Sequence, residues 1–232
     1  DVMYVCSGDI DYIYGAQSGE GVRNFGMGLL KSIDGGVSWD TTGLSFPLTD
    51  GYTALLRGVI ISKEDSSHLL AFGGSGIYKS TDAGNSWTHI AQHVIMDVEQ
   101  NPLNDSVIYA STFKLSAAGN IGSKILKSND FGTTWRTLDA RIPSSAWRTE
   151  LAIAPSDTSV VYALSAKQAF ISLMKTTTSG MTWDTIALAD SIPNIMGGQD
   201  GGYTGDFTDV SGQGWYDLAL AVDPNNSDII HT

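Results

Sequence analysis

The chain has 232 residues, of which 42% are hydrophobic and 26 are glycine, and its formal net charge is −12. That charge excludes the basic face which nucleic acids require and argues against binding to anionic membrane surfaces. No apolar run approaches the ~20 residues that span a bilayer, and the single cysteine, Cys6, excludes an internal disulfide. No glycine-rich phosphate loop of a known type is present, so no organic cofactor is expected.

The predicted elements are short strands separated by polar turns, without helical periodicity. After a first strand at 2–6, the phrase S-x-D-x-G-x-x-W begins a series of four copies whose tryptophans stand 48 residues apart. A period of this length marks a chain built from stacked copies of one supersecondary unit. We call the copies tryptophan turns and number them in chain order: Ser32 to Trp39 with Asp34 and Gly36, Ser80 to Trp87 with Asp82 and Gly84, Ser128 to Trp135 with Asp130 and Gly132, and Thr176 to Trp183 with Thr178 and Gly180.

Each tryptophan turn has the chemistry of a tight β-hairpin. The hydroxyl and the carboxylate can accept hydrogen bonds from N–H groups of the turn, and the glycine tolerates positive φ. The tryptophan can cover the hairpin with its ring. An apolar run and one lysine precede every copy: Lys31, Lys79, Lys127 and Lys175. A strand, a turn and a second strand are therefore predicted at each copy.

A second phrase repeats between the tryptophan turns. It consists of two apolar strands joined by a polar turn that usually contains proline, at 58–62 and 69–72, 95–99 and 107–110, 151–154 and 160–164, and 218–222 and 229–231. Each unit thus holds four strands, and repeated four-stranded units are typical of propeller blades. The sequence predicts an all-β protein, a β-propeller of four-stranded blades with about four blades present.

We place the blades in one domain, 1–232, at 1–48, 49–92, 93–142 and 143–190. An insertion loop at 191–214 and the start of a further blade at 215–232 follow. Both ends of the chain match the second strand of a blade. We therefore expect the chain to be part of a larger propeller, with the remaining blades in a longer parent chain.

The tryptophan turns resemble the Asp-box, or BNR repeat. This repeat is found in sialidases, xyloglucanase-like glycoside hydrolases, sortilin/Vps10 propellers and BNR-repeat proteins that bacteria export. The resemblance covers essentially the whole chain at the level of the fold. It implies that the turn residues are structural and lie far from any active site. It also implies a secreted or cell-surface protein, which suits the acidic composition.

The stretch 184–217 departs from the repeat, because it is long and rich in glycine. Long loops on rigid scaffolds often carry function. Asp200, Asp206 and Asp209 could supply oxygen ligands to a structural Ca²⁺, although their spacing does not match an EF-hand loop. A solvated acidic loop and a contact with a ligand, in which Tyr203 would take part, remain open alternatives.

Candidate ligand-binding residues gather where the first strand of each unit begins. Alignment of the units through their proline turns places Asp217 near Arg57, Ile95 and Arg148. Aromatic rings with polar neighbours hold sugars by stacking and by hydrogen bonds to hydroxyl groups. The candidate ligand-binding residues are Arg57, Trp147, Arg148, Tyr203, Trp215 and Tyr216.

The segment 217–228 resembles the segment that bears a catalytic aspartate in xyloglucanase-like glycosidases, and the match falls on Asp217. An inverting enzyme needs a second carboxylate ~6.5–9.5 Å away, for which Asp97 and Glu150 are the nearest candidates. Two functions therefore compete. One is a propeller that binds a glycan or protein on its loop face; the other is part of a glycoside hydrolase. We favour the binding module over an enzyme, because no complete catalytic pair can be identified.

Overall fold

The computed structural model describes residues 1–8, 26–46, 55–114, 122–189, 191, 214 and 218–232. Within these ranges every regular element is a β-strand paired antiparallel with its neighbours, so the all-β prediction is confirmed. No helix in this part of the chain is long and apolar enough to cross a membrane. The chain divides into two compact units: unit 1 is 1–95 with 130–134, and unit 2 is 96–129 with 135–232.

Unit 1 contains two antiparallel sheets whose strands follow one another in chain order. The first sheet has three strands, β1 (Met3–Cys6), β2 (Gly28–Ser32) and β3 (Asp40–Ser45), and the second has four, β4 (Leu56–Ile61), β5 (Leu69–Gly73), β6 (Gly76–Ser80) and β7 (Thr88–Ala91). Leu29 and Leu44 of the first sheet share a core with Leu56 and Ala71 of the second. Cys6 packs against this core, where burial raises the pKa of its thiol to about 12.

Unit 2 contains most of a third sheet, a fourth sheet and a short fifth pair of strands. The third sheet is β8 (Ile95–Gln100), β9 (Ile108–Thr112), β10 (Ile125–Ser128) and β11 (Arg136–Leu138). The fourth is β12 (Arg148–Ile153), β13 (Val161–Ala166), β14 (Phe170–Thr176) and β15 (Asp184–Leu188), and the pair is β16 (Ala221–Val222) and β17 (Ile230–His231). Tyr109, Leu151 and Met174 belong to the core that joins the third and fourth sheets.

Burial falls from the middle to the outer strand of each complete sheet. The strands β5, β9 and β13 are buried on both faces, and their short runs of apolar and small residues are typical of such strands. The outer strands β7 and β15 carry threonine or aspartate and are largely exposed.

The proline turns also repeat in three dimensions. In each, the residue that follows the first strand donates its N–H to the carbonyl of the residue that precedes the second strand. The four pairs are Ser62 with His68, Asn101 with Val107, Ala154 with Val160 and Asp223 with Ile229, at 2.9 to 3.0 Å. These bonds set a common numbering for the first strands, and on it Asp97 and Glu150 occupy the same position.

Each tryptophan turn closes on itself, as turn 2 illustrates. Ser80 Oγ accepts the N–H of Gly84 at 2.9 Å and donates to Asp82 Oδ1 at 2.8 Å. The two carboxylate oxygens of Asp82 then accept the backbone N–H and the hydroxyl of Ser86, at 2.8 and 2.6 Å. These bonds stabilise the ionised form and lower the pKa of Asp82 to about 2. The residue types of the phrase predicted this use of its side chains.

Turn 4 keeps the same geometry with a different side chain. In turn 3, Asp130 accepts both the N–H and the hydroxyl of Thr134, at 2.9 and 2.6 Å. In turn 4, the single Oγ1 of Thr178 lies 2.9 Å from both the N and the Oγ1 of Thr182. One hydroxyl thus serves where the other copies use two carboxylate oxygens.

The tryptophans of the turns differ in burial. Trp183 is 3% exposed and belongs to the core of unit 2, whereas Trp39 is 36% exposed. The indole N–H groups of Trp39 and Trp87 each donate to the carbonyl of the glycine in their own turn, at 3.1 and 3.0 Å. These two rings therefore fix their own turns.

The lysine before each turn reaches forward to a later part of the chain. Lys127 Nζ donates to Ser179 O at 2.8 Å and lies 4.9 Å from the centroid of the Tyr109 ring. The other three lysines make the same kind of contact 51 to 53 residues further on: Lys31 with Ala83 O at 3.0 Å, Lys79 with Asp130 O at 3.4 Å and Lys175 with Asp228 Oδ1 at 2.6 Å. Each lysine thus ties its own repeat to the next one.

Candidate functional site

Three chain segments meet at one end of the fourth sheet. The strand β12 begins at Arg148, which pairs with Ala166 at the end of β13, and Ala166 pairs with Phe170 at the start of β14. Trp147, just before β12, donates its backbone N–H to Ala166 O and accepts the N–H of Lys114, both at 2.9 Å. The end of the third sheet is thereby joined to the fourth next to Trp147.

The glycine-rich stretch is attached at the same end. Gly214 donates its N–H to Gln168 O, in the β13–β14 hairpin, at 2.9 Å. A Cβ atom at position 214 would lie 2.8 Å from the Cβ of Ala166, so only glycine allows this close approach. Residue 214 therefore brings the last part of that stretch against the end of the fourth sheet.

Two lysine side chains converge on the partly exposed ring of Trp147. Lys114 Nζ lies 3.4 Å from the ring centroid and Lys167 Nζ lies 5.0 Å from it. Both distances are within the ~6 Å range of a cation–π interaction. Phe113 meets the indole edge-on, with the ring centroids 6.2 Å apart. We call Trp147, Phe113, Lys114 and Lys167 the tryptophan site.

The electrostatics of the tryptophan site are unfavourable to its own charges. Burial lowers the pKa of Lys114, and the positive charge of Lys167 lowers it further. Within the described residues, neither ammonium group has a carboxylate partner. The site therefore holds two like charges close together against an aromatic ring.

Next to Trp147, the buried Arg148 forms a tight ion pair on its own strand. Its Nε and Nη2 atoms lie 2.8 and 2.7 Å from Glu150 Oε1. Nη2 also donates to Leu218 O at 3.4 Å. The guanidinium group thus binds β12 to the segment that leads into β16.

Three carboxyl groups lie near one another on the facing strands β8 and β12. The carboxylate of Asp97 accepts the N–H of Leu151 at 2.7 Å and that of Val98 at 2.9 Å, which ties the two strands together. Burial, followed by the charges of Asp97 and Glu150, raises the pKa of Glu99 to about 8. Glu99 is therefore a neutral carboxylic acid at neutral pH.

The structure brings together only some of the candidates that the sequence suggested. Trp147, Arg148, Glu150 and Asp97 all lie in unit 2, around the beginning of β12, whereas Arg57 lies on β4 in unit 1. The remaining candidates lie outside the described residues: Asp200, Tyr203, Asp206, Asp209, Trp215, Tyr216 and Asp217. Among the residues that are described, no group of three or more His, Cys, Asp and Glu could hold a metal ion.

Sequence reasoning did not single out Glu99, Lys114 or Lys167. A signal for Glu99 exists, because residues two apart on a strand face the same side, so Asp97 predicts where Glu99 points. The two lysines carry no comparable signal. They follow the ends of β9 and β13, and they meet Trp147 only once the sheets are formed.

Two solved structures have a similar fold. An ancestral GH74 enzyme gives a TM-score of 0.61 at 21% sequence identity, over 88% of this chain and 24% of that chain. The GH74 xyloglucanase from Xanthomonas campestris gives a TM-score of 0.59 at 18% identity, over 99% of this chain and 33% of that chain. This chain thus spans about a quarter of the first and a third of the second. Identities this low show a common fold alone.

No protein-family model matches the sequence, and no curated protein matches it. The class of the molecule follows from its sheets and from this structural similarity. Several antiparallel four-stranded sheets, repeated along the chain, make it an all-β protein with the fold of a partial β-propeller of about four blades.

Proposed function

We propose that this chain is part of a secreted or cell-surface β-propeller that binds carbohydrate through the tryptophan site. The observation that carries the proposal is the position of Trp147, partly exposed at the end of the fourth sheet, where the glycine-rich stretch is attached. An indole ring offers an apolar face to the C–H groups of a sugar ring, and its neighbours can bond the hydroxyl groups. Loop-bearing ends of rigid sheets are the usual place for such contacts.

The tryptophan turns support this location of the site by elimination. Their serine, threonine and aspartate side chains are occupied by hydrogen bonds within the turn. That arrangement supports the resemblance to Asp-box propellers, in which the box has a structural role. The resemblance to exported BNR-repeat and sortilin-like proteins is also the basis for proposing an extracellular location.

The structural neighbours suggest a class of ligand. One is a GH74 enzyme and the other a GH74 xyloglucanase, and these names point to a plant-type β-glucan as the first polysaccharide to test. The alternative ligand of a binding propeller is a protein, for which no contact in the described residues offers specific support.

Affinity electrophoresis in gels that contain soluble β-glucans tests this proposal. Trp147→Ala should lose retardation, because the stacking surface is removed, while Trp39→Ala should keep it. Trp39 is a suitable control since it is also a partly exposed indole but lies in a tryptophan turn of unit 1. Retardation of neither the wild type nor any variant, in a panel of plant and bacterial glycans, would rule the proposal out.

A second candidate function is part of a glycoside hydrolase, and Glu99 is the observation that favours it. A carboxyl group that stays protonated at neutral pH can act as a general acid. Inverting glycosidases pair such an acid with a carboxylate ~6.5–9.5 Å away, a role for which Asp97, Glu150 and Asp217 are candidates. Two of these are already engaged, Asp97 by backbone N–H groups and Glu150 by Arg148, which is why we rank this function second.

Release of reducing ends from β-glucans distinguishes the two functions. If the chain belongs to a hydrolase, Glu99→Gln or Asp217→Asn should lower the rate at least about a hundredfold, and the exposed Glu64→Gln should not. Binding without any release of reducing ends would leave the binding module as the function.

A further inference from the structure

The lysines of the tryptophan site differ from the lysines of the repeat. Lys31 and Lys127 each combine a cation–π contact with a hydrogen bond to a carbonyl group. Lys114 and Lys167 make the cation–π contact alone, within the part of the chain that is described. Their charges are thus partly removed from water without the acceptor that their counterparts have.

Two ammonium groups at one ring repel each other, and the repulsion is stronger where water is partly excluded. A cation–π contact compensates for part of the lost hydration, but it does not cancel the charge. Such a pair is uncommon in a chain with 13 Lys and Arg against 25 Asp and Glu, where carboxylates are plentiful. An anion placed between the two ammonium groups would remove the repulsion and form charge-assisted hydrogen bonds.

We propose that the tryptophan site binds an acidic sugar, whose carboxylate or sulfate group lies between Lys114 and Lys167 while its ring packs on Trp147. This inference deepens the carbohydrate-binding function proposed above and rests on it. The pair of lysines and the indole together match the two parts of such a ligand, a single anionic group and an apolar ring face.

The geometry suits an isolated anionic group on a sugar better than a polyphosphate. Nucleic acids require a long basic face with many contacts to phosphate, and this chain has a net charge of −12. The attraction is local, because at physiological salt charges beyond about 8 Å are largely screened. Two lysines serve one anion at short range without a basic surface around them.

The test uses two soluble polymers with the same cellulose backbone, carboxymethylcellulose and the neutral hydroxyethylcellulose. Cellulose sulfate forms a third arm, which separates carboxylate from sulfate as the preferred group. We expect the wild type to bind one or both acidic polymers at least about tenfold more tightly than the neutral one, because two charge-assisted contacts are added. Affinity should fall as salt rises.

The variants Lys114→Met and Lys167→Met, singly and together, remove the ammonium groups but keep the apolar stems. The double variant should lose the preference for acidic polymers while it keeps the weaker neutral binding. Lys63→Met, an exposed lysine in a turn of unit 1, is the control for the change in net charge and should behave as the wild type. Unchanged melting temperatures establish that each variant is folded.

The possible outcomes separate this inference from the function on which it rests. Equal binding of acidic and neutral polymers, both abolished by Trp147→Ala, would overturn the acidic-sugar inference and support the carbohydrate-binding function. A preference for acidic polymers that survives in the double lysine variant would overturn the assignment of the anion to this site. Absence of binding to any of the polymers, and to a wider glycan panel, would overturn both.

Discussion

Among single residues, Glu99 has the environment that departs most from that of an ordinary surface glutamate. Its strand neighbour Asp97 spends both carboxylate oxygens on backbone N–H groups, and Glu150 is held by Arg148. Glu99 is left as the carboxyl group on which burial and two negative charges act together. These three side chains tie strand pairing to a proton that is retained at neutral pH.

The retained proton predicts how stability depends on pH. The pKa of Glu99 rises from 4.5 to about 8 on folding. Between these values the folded protein keeps a proton that the unfolded chain has released. The free energy of unfolding should therefore fall as pH rises from about 4.5 to 8, by up to about 1.4 kcal/mol per pH unit. Urea denaturation of wild type and Glu99→Gln at pH 5, 6.5 and 8 measures it.

Glu99→Gln should remove this slope, since an amide cannot release the proton. The exposed Glu64→Gln is the control and should retain it. Parallel pH profiles for the wild type and Glu99→Gln would show that the carboxyl group ionises normally in the folded state.

At the scale of elements, the tryptophan turn was the part of the structure that the sequence predicted in most detail. Its hydroxyl, carboxylate and glycine act within eight residues, so their roles follow from local chemistry. The forward contacts of Lys31, Lys79, Lys127 and Lys175 were not predicted, although their position before each turn was evident. A hydrogen bond across some 50 residues depends on how successive sheets stack, which the local pattern does not contain.

The fourth turn offers a test of the carboxylate's contribution. Thr178→Asp should stabilise the protein by up to about 1 kcal/mol, because two charge-assisted acceptors replace one hydroxyl. The reciprocal change Asp82→Thr should destabilise it by a similar amount. Chemical denaturation of both variants provides the measurement, and effects of the same sign would contradict the assigned roles.

The forward lysines can be tested at Lys127, which is 7% exposed. Lys127→Met keeps the apolar stem over Tyr109 but removes the donor to Ser179 O. We expect a loss of about 1–3 kcal/mol in the free energy of unfolding, the range for a buried carbonyl left without its partner. Lys63→Met should change it by less than about 0.5 kcal/mol. A loss no larger than that of the control would mean that the contact adds nothing to stability.

At the scale of the whole molecule, the fold class could be read from the sequence because its unit is written four times at one interval. The tryptophan site could only be read in part. Trp147 and Arg148 were identified from the alignment of the repeats, but Lys114 and Lys167 stand in no repeated phrase. Repetition reveals what the units share, whereas a binding site depends on how one unit differs from the others.

The net charge of −12 predicts a response of the whole chain to salt. Like charges repel one another in the compact state, and added salt screens that repulsion. The melting temperature at pH 7 should rise by a few degrees between about 20 and 300 mM NaCl. Near pH 4, where many carboxylates are protonated, the rise should be smaller. A salt effect of equal size at both pH values would point to a cause other than net charge.

The forward contact of the lysines bears on how such a chain can lengthen. A copied segment of 48 residues would arrive with an ammonium donor for its successor and a carbonyl acceptor for its predecessor. Insertion of another copy would therefore need no newly evolved joint, and the strand-end loops could diverge without weakening the array. The same property makes the number of units an adjustable quantity for protein engineering.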